Sequence, residues 1–238
     1  MESQPTVFQV PADGGVLKTA DTVSLELVEK TLISPDSYLL KFALPDGLTF
    51  GVPPGNHAWL KMQLEGKQVK KPYSPISDVR QTGTVDFVVK IYRPNENTEF
   101  PAGGQLTPHI EKLQVGDKLD MAGPIGLLSY HGHGKIVVRG EEKNLKNLAF
   151  IAGGTGITPI YNVIQSSLTN KDGANLSLLY ANHTPADILL KSHLDALHAA
   201  NPESFKLNYT VSRGYDDTWS GFTGRINKEM IAKSLPPP

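Results

Sequence analysis

The sequence predicts two domains: an antiparallel β-barrel or sandwich over its first half and a parallel, doubly wound α/β sheet over its second. Three observations predict it. Apolar residues alternate with period two in the first half. After about residue 144 the alternation gives way to short, continuously apolar segments separated by helical ones. A chain of 238 residues is long enough for two compact cores.

Residues 1–20 are polar, contain Pro5, Pro11, Gly14 and Gly15, and read as a loose leader without the apolar core of a signal peptide. Val23, Leu25 and Leu27 then alternate, as do Tyr38, Leu40, Phe42 and Leu44, next Ala58, Leu60, Met62 and Leu64, and then Val85, Phe87, Val89 and Ile91. Half-buried antiparallel strands bounded by Pro and Gly turns have this pattern. One short helix interrupts them, with Thr107 as its cap, Pro108 at its first position, and Ile110 and Leu113 as its apolar edge.

Residues 127–146, rich in glycine at Gly132, Gly134 and Gly140, read as a linker between a first domain at 1–126 and a second at 147–238. In the second, residues 148–152, 176–181 and 206–211 read as buried strands, and 159–168 as a helix starting at Pro159. Thr184-Pro185-Ala186-Asp187 reads as the start of another helix, a Thr cap with an acid three positions on, and Leu190, Leu194 and Leu197 share its face. Strand-helix-strand-helix-strand implies a parallel sheet.

Hydrophobic residues make up 39% of the chain and charged residues 20%, ordinary values for a globular protein. A net charge of -1 gives no electrostatic case for nucleic acid. No apolar run approaches the roughly 18 residues of a membrane span. The chain has no cysteine, which excludes disulfides, thiolate-held iron–sulfur clusters and a Cys nucleophile. A cytoplasmic, monomeric protein is the default expectation. His131-Gly132-His133 lies in a glycine-rich turn without an acidic cluster beside it, so no metal site is expected.

Three motifs carry chemistry. Ala152-Gly153-Gly154-Thr155-Gly156-Ile157-Thr158-Pro159 stands between an apolar strand and a helix, where glycines let a ligand approach and a helix N-terminus attracts a pyrophosphate. Glycines also serve such turns for packing alone. Lys71-Pro72-Tyr73-Ser74-Pro75-Ile76-Ser77 is stiffened by two prolines, which hold a cation, an aromatic and a hydroxyl in fixed relation, or merely make a rigid loop. Pro101-Ala102-Gly103-Gly104-Gln105-Leu106-Thr107 opens the short helix, either as a second anion site or as a simple capped turn. Phe87, Val89 and Ile91 point one way along their strand, so Val88, Lys90 and Tyr92 point the other, and Lys90 must snorkel or meet a ligand.

Together with Gly123-Pro124-Ile125-Gly126, Tyr180-Ala181-Asn182-His183-Thr184 and Asp187-Ile188-Leu189-Leu190, these motifs resemble the ferredoxin–NADP reductase superfamily. Within it they are most similar to cytochrome b5 reductase and to the flavin domain of assimilatory nitrate reductase. The resemblance runs from about Val23 to the C-terminus. It implies a six-stranded Greek-key barrel that binds FAD, a Rossmann-like domain that binds NADH or NADPH, and transfer of single electrons to cytochrome b5 or a b5-like haem domain. Two alternatives stay open: an excised flavin module of nitrate reductase, and a flavin-binding electron-transfer subunit without turnover of its own.

The resemblance implies roles residue by residue. Tyr73 packs near the isoalloxazine and Ser74 lies near flavin N5. Lys71 stands where the family usually has Arg, and with Pro72 supplies charge and shape to the FAD pyrophosphate, though without a two-donor fork. Gly104, Gln105, Leu106 and Thr107 cradle the FAD phosphates through backbone N–H groups. Val88, Lys90 and Tyr92 face the nicotinamide nucleotide; Ser74 and Lys90 are the candidate catalytic residues. Gly153, Gly154, Thr155 and Gly156 take the dinucleotide, and Thr158 reaches the flavin. Ser212 stands where NADH-using relatives usually carry Asp, and Ser212-Arg213 resembles the pair that holds the 2′-phosphate of NADPH; Arg213 is otherwise a solvated surface residue. The family continues with a strand, a Cys-Gly-Pro-Pro segment and a late aromatic, none of which is present, so the second domain is expected to lack its C-terminal end.

Overall fold

The computed structural model describes residues 15–17, 22–96 and 101–237, and the chain divides into two compact units between Leu127 and Leu128. In the first, β1 (Thr22–Ser34), β2 (Ser37–Ala43), β3 (His57–Leu64), β4 (Lys67–Tyr73), β5 (Thr84–Lys90) and β6 (Lys118–Ile125) form one sheet, with α1 (Thr107–Ile110) between β5 and β6. The strand order is β4-β3-β6-β1-β2-β5, and every neighbouring pair is antiparallel. This is the six-stranded antiparallel architecture the family resemblance implies.

The alternation explains the core. Leu25, Leu27, Leu40, Phe42, Ala58, Leu60, Val85, Phe87 and Val89 all turn inward and are buried. Phe42 and Phe50 meet Phe87 edge-on, at centroid distances of 6.2 and 5.7 Å. Each such side chain withdrawn from water contributes roughly 1.5–3 kcal/mol. The outward face is polar, with Lys70 Nζ 5.0 Å from the Trp59 ring. Gly15–Leu17 belong to this unit rather than to a loose leader. Val16 N–H donates to Thr49 C=O at 2.9 Å and Leu17 N–H to Phe50 C=O at 3.1 Å, and the Leu17 side chain joins the core. The rest of the leader lies outside the described residues.

Thr107 does not cap α1. The residue before the helix is Leu106, without a side-chain cap, and Thr107 is the first helical residue. Its Oγ1 instead accepts from Tyr92 N–H at 3.1 Å. The hydroxyl is used between segments rather than within its own.

In the second unit, residues read as a linker form a small antiparallel sheet of β7 (Leu128–Tyr130), β8 (Lys135–Val138) and β9 (Glu141–Asn144). β10 (Asn147–Gly153), α2 (Ile157–Asn170), β11 (Asn175–Asn182), α3 (Lys191–Ala200), β12 (Phe205–Val211), β13 (Phe222–Thr223) and α4 (Lys228–Ser234) follow. Their strands lie in the order β10-β11-β12-β13 and all pairs are parallel. A buried carboxylate ties the two sheets' connections together: Tyr130 OH donates to one oxygen of Asp172, and Ser167 Oγ to the other at 2.8 Å.

Two helix starts differ from the prediction. α2 begins at Ile157, preceded by a single 3-10 turn at Gly154–Gly156, so Pro159 is its third residue. Thr184 and Asp187 do form the reciprocal capping box, but around one 3-10 turn, Pro185–Asp187. The chain then turns through Leu190 at φ 58° and α3 starts only at Lys191, so Leu190 is buried outside the helix it was expected to line.

Candidate functional site

Two groups of candidate residues assemble, one in each unit. In the first unit, β4 ends on Tyr73 and β5 on Lys90, two residues before Tyr92. β4 is an edge strand, which is why Pro72 is tolerated there opposite Trp59. Lys71, opposite the inward Leu60, and Tyr73, opposite Ala58, share one face of the sheet. Burial first, and the phenol of Tyr92 second, push the Tyr73 hydroxyl far above its ordinary range. Ser74 is buried, and its Oγ donates to Asn56 C=O at 2.9 Å.

The glycine pair docks onto this cluster. Gly104 N–H donates to Tyr92 C=O at 2.7 Å, so it is not one of the N–H groups offered to a phosphate. A Cβ on Gly103 would lie 2.6 Å from Tyr92 O, and one on Gly104 2.5 Å from Thr107 Oγ1. Gly103 is required by the close approach of this turn to the backbone that follows β5, and Gly104 by the Thr107 hydroxyl packed over it. Gln105, Leu106 and Thr107 donate no backbone hydrogen bond among the described residues.

Lys90 does not stand alone. Its Nζ lies 2.8 Å from Asp36 Oδ2. Val88, on the same face, is buried outside the barrel core and Tyr92 is half exposed.

In the second unit, the Gly153–Gly156 segment stands at the carboxyl edge of β10, where open parallel sheets receive ligands. Tyr180, from the middle of the sheet, donates through its hydroxyl to Gly154 C=O at 2.9 Å. Gly154 has φ +50°, which suits glycine, and a Cβ on Gly153, Gly154 or Gly156 would meet nothing within 4 Å. Packing therefore does not require these glycines, and the space above them is open. The 14-residue α2 then points its N-terminus at that space. Thr158 is buried, and its Oγ1 turns back to donate to Thr155 C=O at 3.3 Å.

Beyond β12, Ser212 N–H donates to Asn182 and His183 carbonyls at 3.2 and 3.1 Å, and Arg213 N–H to His183 C=O at 2.9 Å. Both side chains are exposed. Sequence reading missed Asn56 and Asp36, whose partners are distant in the chain, and no local pattern announces either.

An antiparallel barrel with a cationic edge strand and a parallel α/β unit with an open glycine turn together define a two-domain, dinucleotide-dependent flavin oxidoreductase. The comparisons agree. Residues 24–130 match the family model "Oxidoreductase FAD-binding domain" and residues 150–237 match "Oxidoreductase NAD-binding domain". NADH-cytochrome b5 reductase 3 of Rattus norvegicus is 40% identical over 222 residues, covering 90% of this chain and 73% of that one. Nitrate reductase [NADH] of Solanum lycopersicum is 38% identical over 234 residues, which are 98% of this chain but 26% of that enzyme. The cytochrome b5 reductase domain of Ulva prolifera nitrate reductase superimposes with a TM-score of 0.87 at 37% identity, covering 93% of this chain and 84% of that one. The chain belongs to the NADH-cytochrome b5 reductase family of FAD- and NAD-binding oxidoreductases.

The residues present fit both cofactors. Lys71 and the N–H groups of Gln105, Leu106 and Thr107, which donate no backbone hydrogen bond among the described residues, suit an anionic pyrophosphate, and the open turn at Gly153–Gly156 suits a second one. Among the described residues no helix is long and apolar enough to cross a membrane.

Proposed function

We propose that this chain takes hydride from NADH through bound FAD and passes the electrons singly to cytochrome b5 or a b5-like haem domain. When bound, FAD supplies a centre that accepts two electrons as hydride and releases them one at a time. The protein's work is to bind, orient and exclude water; no side chain needs to act as a strong acid or base. In this reading residues 1–126 are the FAD-binding domain and 147–238 the dinucleotide-binding domain.

In this reading Lys71, Pro72 and the Gly104–Thr107 segment hold the FAD phosphates, with charge from Lys71 and N–H donors from Gln105 onward. Tyr73 packs on the ring. Ser74 offers a lone pair rather than a proton while its hydroxyl donates to Asn56 C=O. Val88, Lys90 and Tyr92 contact the nicotinamide nucleotide, Gly153, Gly154, Thr155 and Gly156 shape its seat, and Thr158 serves the flavin. A cytoplasmic, monomeric enzyme completes the reading.

The observation that carries it is the open space above three glycines at the carboxyl edge of a parallel sheet. The test is simple. Purified protein should be yellow, and NADH added without oxygen should bleach it within the mixing time. Protein that stays yellow is a flavin-binding subunit without turnover, and protein that cannot be reconstituted with FAD defeats both readings. Comparing a b5-type haem protein with ferricyanide as acceptor then tests the electron's destination.

A second reading concerns the coenzyme. The Arg213 guanidinium has no described partner and follows the end of β12, next to the uncharged Ser212. This arrangement favours use of NADPH beside NADH, because no carboxylate at 212 repels a 2′-phosphate. Ser212→Asp should cut kcat/KM for NADPH at least tenfold more than for NADH. Equal losses would defeat the idea.

A further inference from the structure

We infer that Asp36 is a positioning residue whose carboxylate holds the Lys90 ammonium in place for the dinucleotide. The inference rests on the reading above, in which Lys90 contacts the nicotinamide nucleotide.

Asp36 lies in the short link between β1 and β2. Its carboxylate is divided by task. Oδ1 accepts from Ser34 Oγ at 3.1 Å and from Ser37 Oγ at 3.0 Å, which closes the turn. Oδ2 faces Lys90 Nζ at 2.8 Å. The backbone repeats the attachment: Ile91 N–H donates to Asp36 C=O at 2.6 Å, and Ser37 is the register partner of Lys90. The turn is thus fixed to the end of β5 at the lysine and at the residue after it.

The two side chains are 23% and 28% exposed, shielded enough for the pair to be ordered and open enough to meet a solute. Burial alone would raise the Asp36 carboxyl; the Lys90 ammonium and the Ser37 hydroxyl outweigh it and lower it. An exposed ion pair contributes little to stability by itself, and the turn's needs are met by Oδ1. What Oδ2 does is fix a flexible four-carbon stem whose rotamer freedom would otherwise be lost on binding. A lysine ordered before binding loses less when a nucleotide arrives.

A double-mutant cycle on the FAD-loaded enzyme tests this. Lys90→Ala, Asp36→Ala and the double variant are compared for NAD+ affinity by calorimetry, for NADH KM and kcat with ferricyanide, and for the urea unfolding midpoint. Each single variant should weaken NAD+ binding about five- to tenfold (~1–1.4 kcal/mol), with flavin content retained. The double variant should match Lys90→Ala within about twofold, because Asp36 acts only through that lysine. Asp36→Asn keeps a turn acceptor for the two serines and stands in should the alanine variant fold poorly; it should bind NAD+ no better than Asp36→Ala.

If Lys90→Ala weakens binding while both Asp36 variants bind normally, Asp36 is a turn residue and the inference is overturned. Additive losses in the double variant overturn it as well. Unchanged binding in Lys90→Ala removes the role proposed for Lys90 and the inference together.

Discussion

Gly103 and Gly104 lead into the short helix α1, and Gly153, Gly154 and Gly156 lead into or form the turn before the long helix α2. From sequence the two turns look alike. In the first, an added Cβ runs into Tyr92, Pro94 and Thr107; in the second it meets nothing. The first pair is demanded from inside, by the backbone that follows β5 at Gly103 and by the Thr107 hydroxyl at Gly104. The second set is demanded from outside, by whatever must lie against the turn. Glycine at a helix entrance therefore has two physical causes, and only the surroundings of the missing side chain separate them.

The largest effect should come from Gly103→Ala. Its Cβ would sit 2.6 Å from Tyr92 O and 2.7 Å from Pro94 N, at φ +68°. Left-handed strain and backbone overlap together should destabilise the flavin unit by about 3 kcal/mol or more, read as a lower urea midpoint with loss of flavin. Gly156→Ala should do the reverse. Its φ is -63°, a conformation alanine adopts freely, so the unfolding midpoint should hold. NADH KM should rise about tenfold, equivalent to about 1.4 kcal/mol. A Gly156→Ala enzyme with normal KM would erase the contrast between the two turns.

Much of the barrel was legible because burial follows side-chain alternation. Leu25, Leu40, Leu60 and Phe87 reached the core as the period-two pattern requires. β4 was not read as a strand, because Lys67, Lys70, Lys71 and Pro72 leave only Val69 and Tyr73 to mark its inward face. β13, two residues long, and the glycine-punctuated β7–β9 sheet are too short for periodicity. At the site, the sequence identified residue types but not the direction of their hydrogen bonds. Gly104 N–H, Ser74 Oγ and Thr158 Oγ1 all donate to protein carbonyls. Asp36 is 54 positions from Lys90 (90 minus 36), so no local pattern could pair them.

A smaller effect would sharpen the account of the first turn. Thr107→Val keeps the shape of the side chain but removes the acceptor for Tyr92 N–H. Leaving that part-buried donor unmatched should cost roughly 1 kcal/mol. The loss should appear in the stability of the flavin unit and not in NADH KM. A raised KM with unchanged stability would mean that Thr107 belongs with the outward-facing turn instead.

The smallest effect is one of pH, at the start of β3. Burial lowers His57 below its ordinary 6.5, beside the Trp59 ring 5.5 Å away. Between the folded and unfolded values the unfolded chain binds more protons, so stability at this residue rises with pH across that window. The contribution is complete above 6.5 and declines as pH falls below it. Its slope must be less than the about 1.4 kcal/mol per pH unit that a whole proton would give. His57→Gln should flatten the stability profile of the flavin unit below pH 6.5, and it should leave the second unit's profile as it was. A steeper profile in that variant would mean the folded barrel favours the charged imidazole, which is the opposite of what burial at β3 demands.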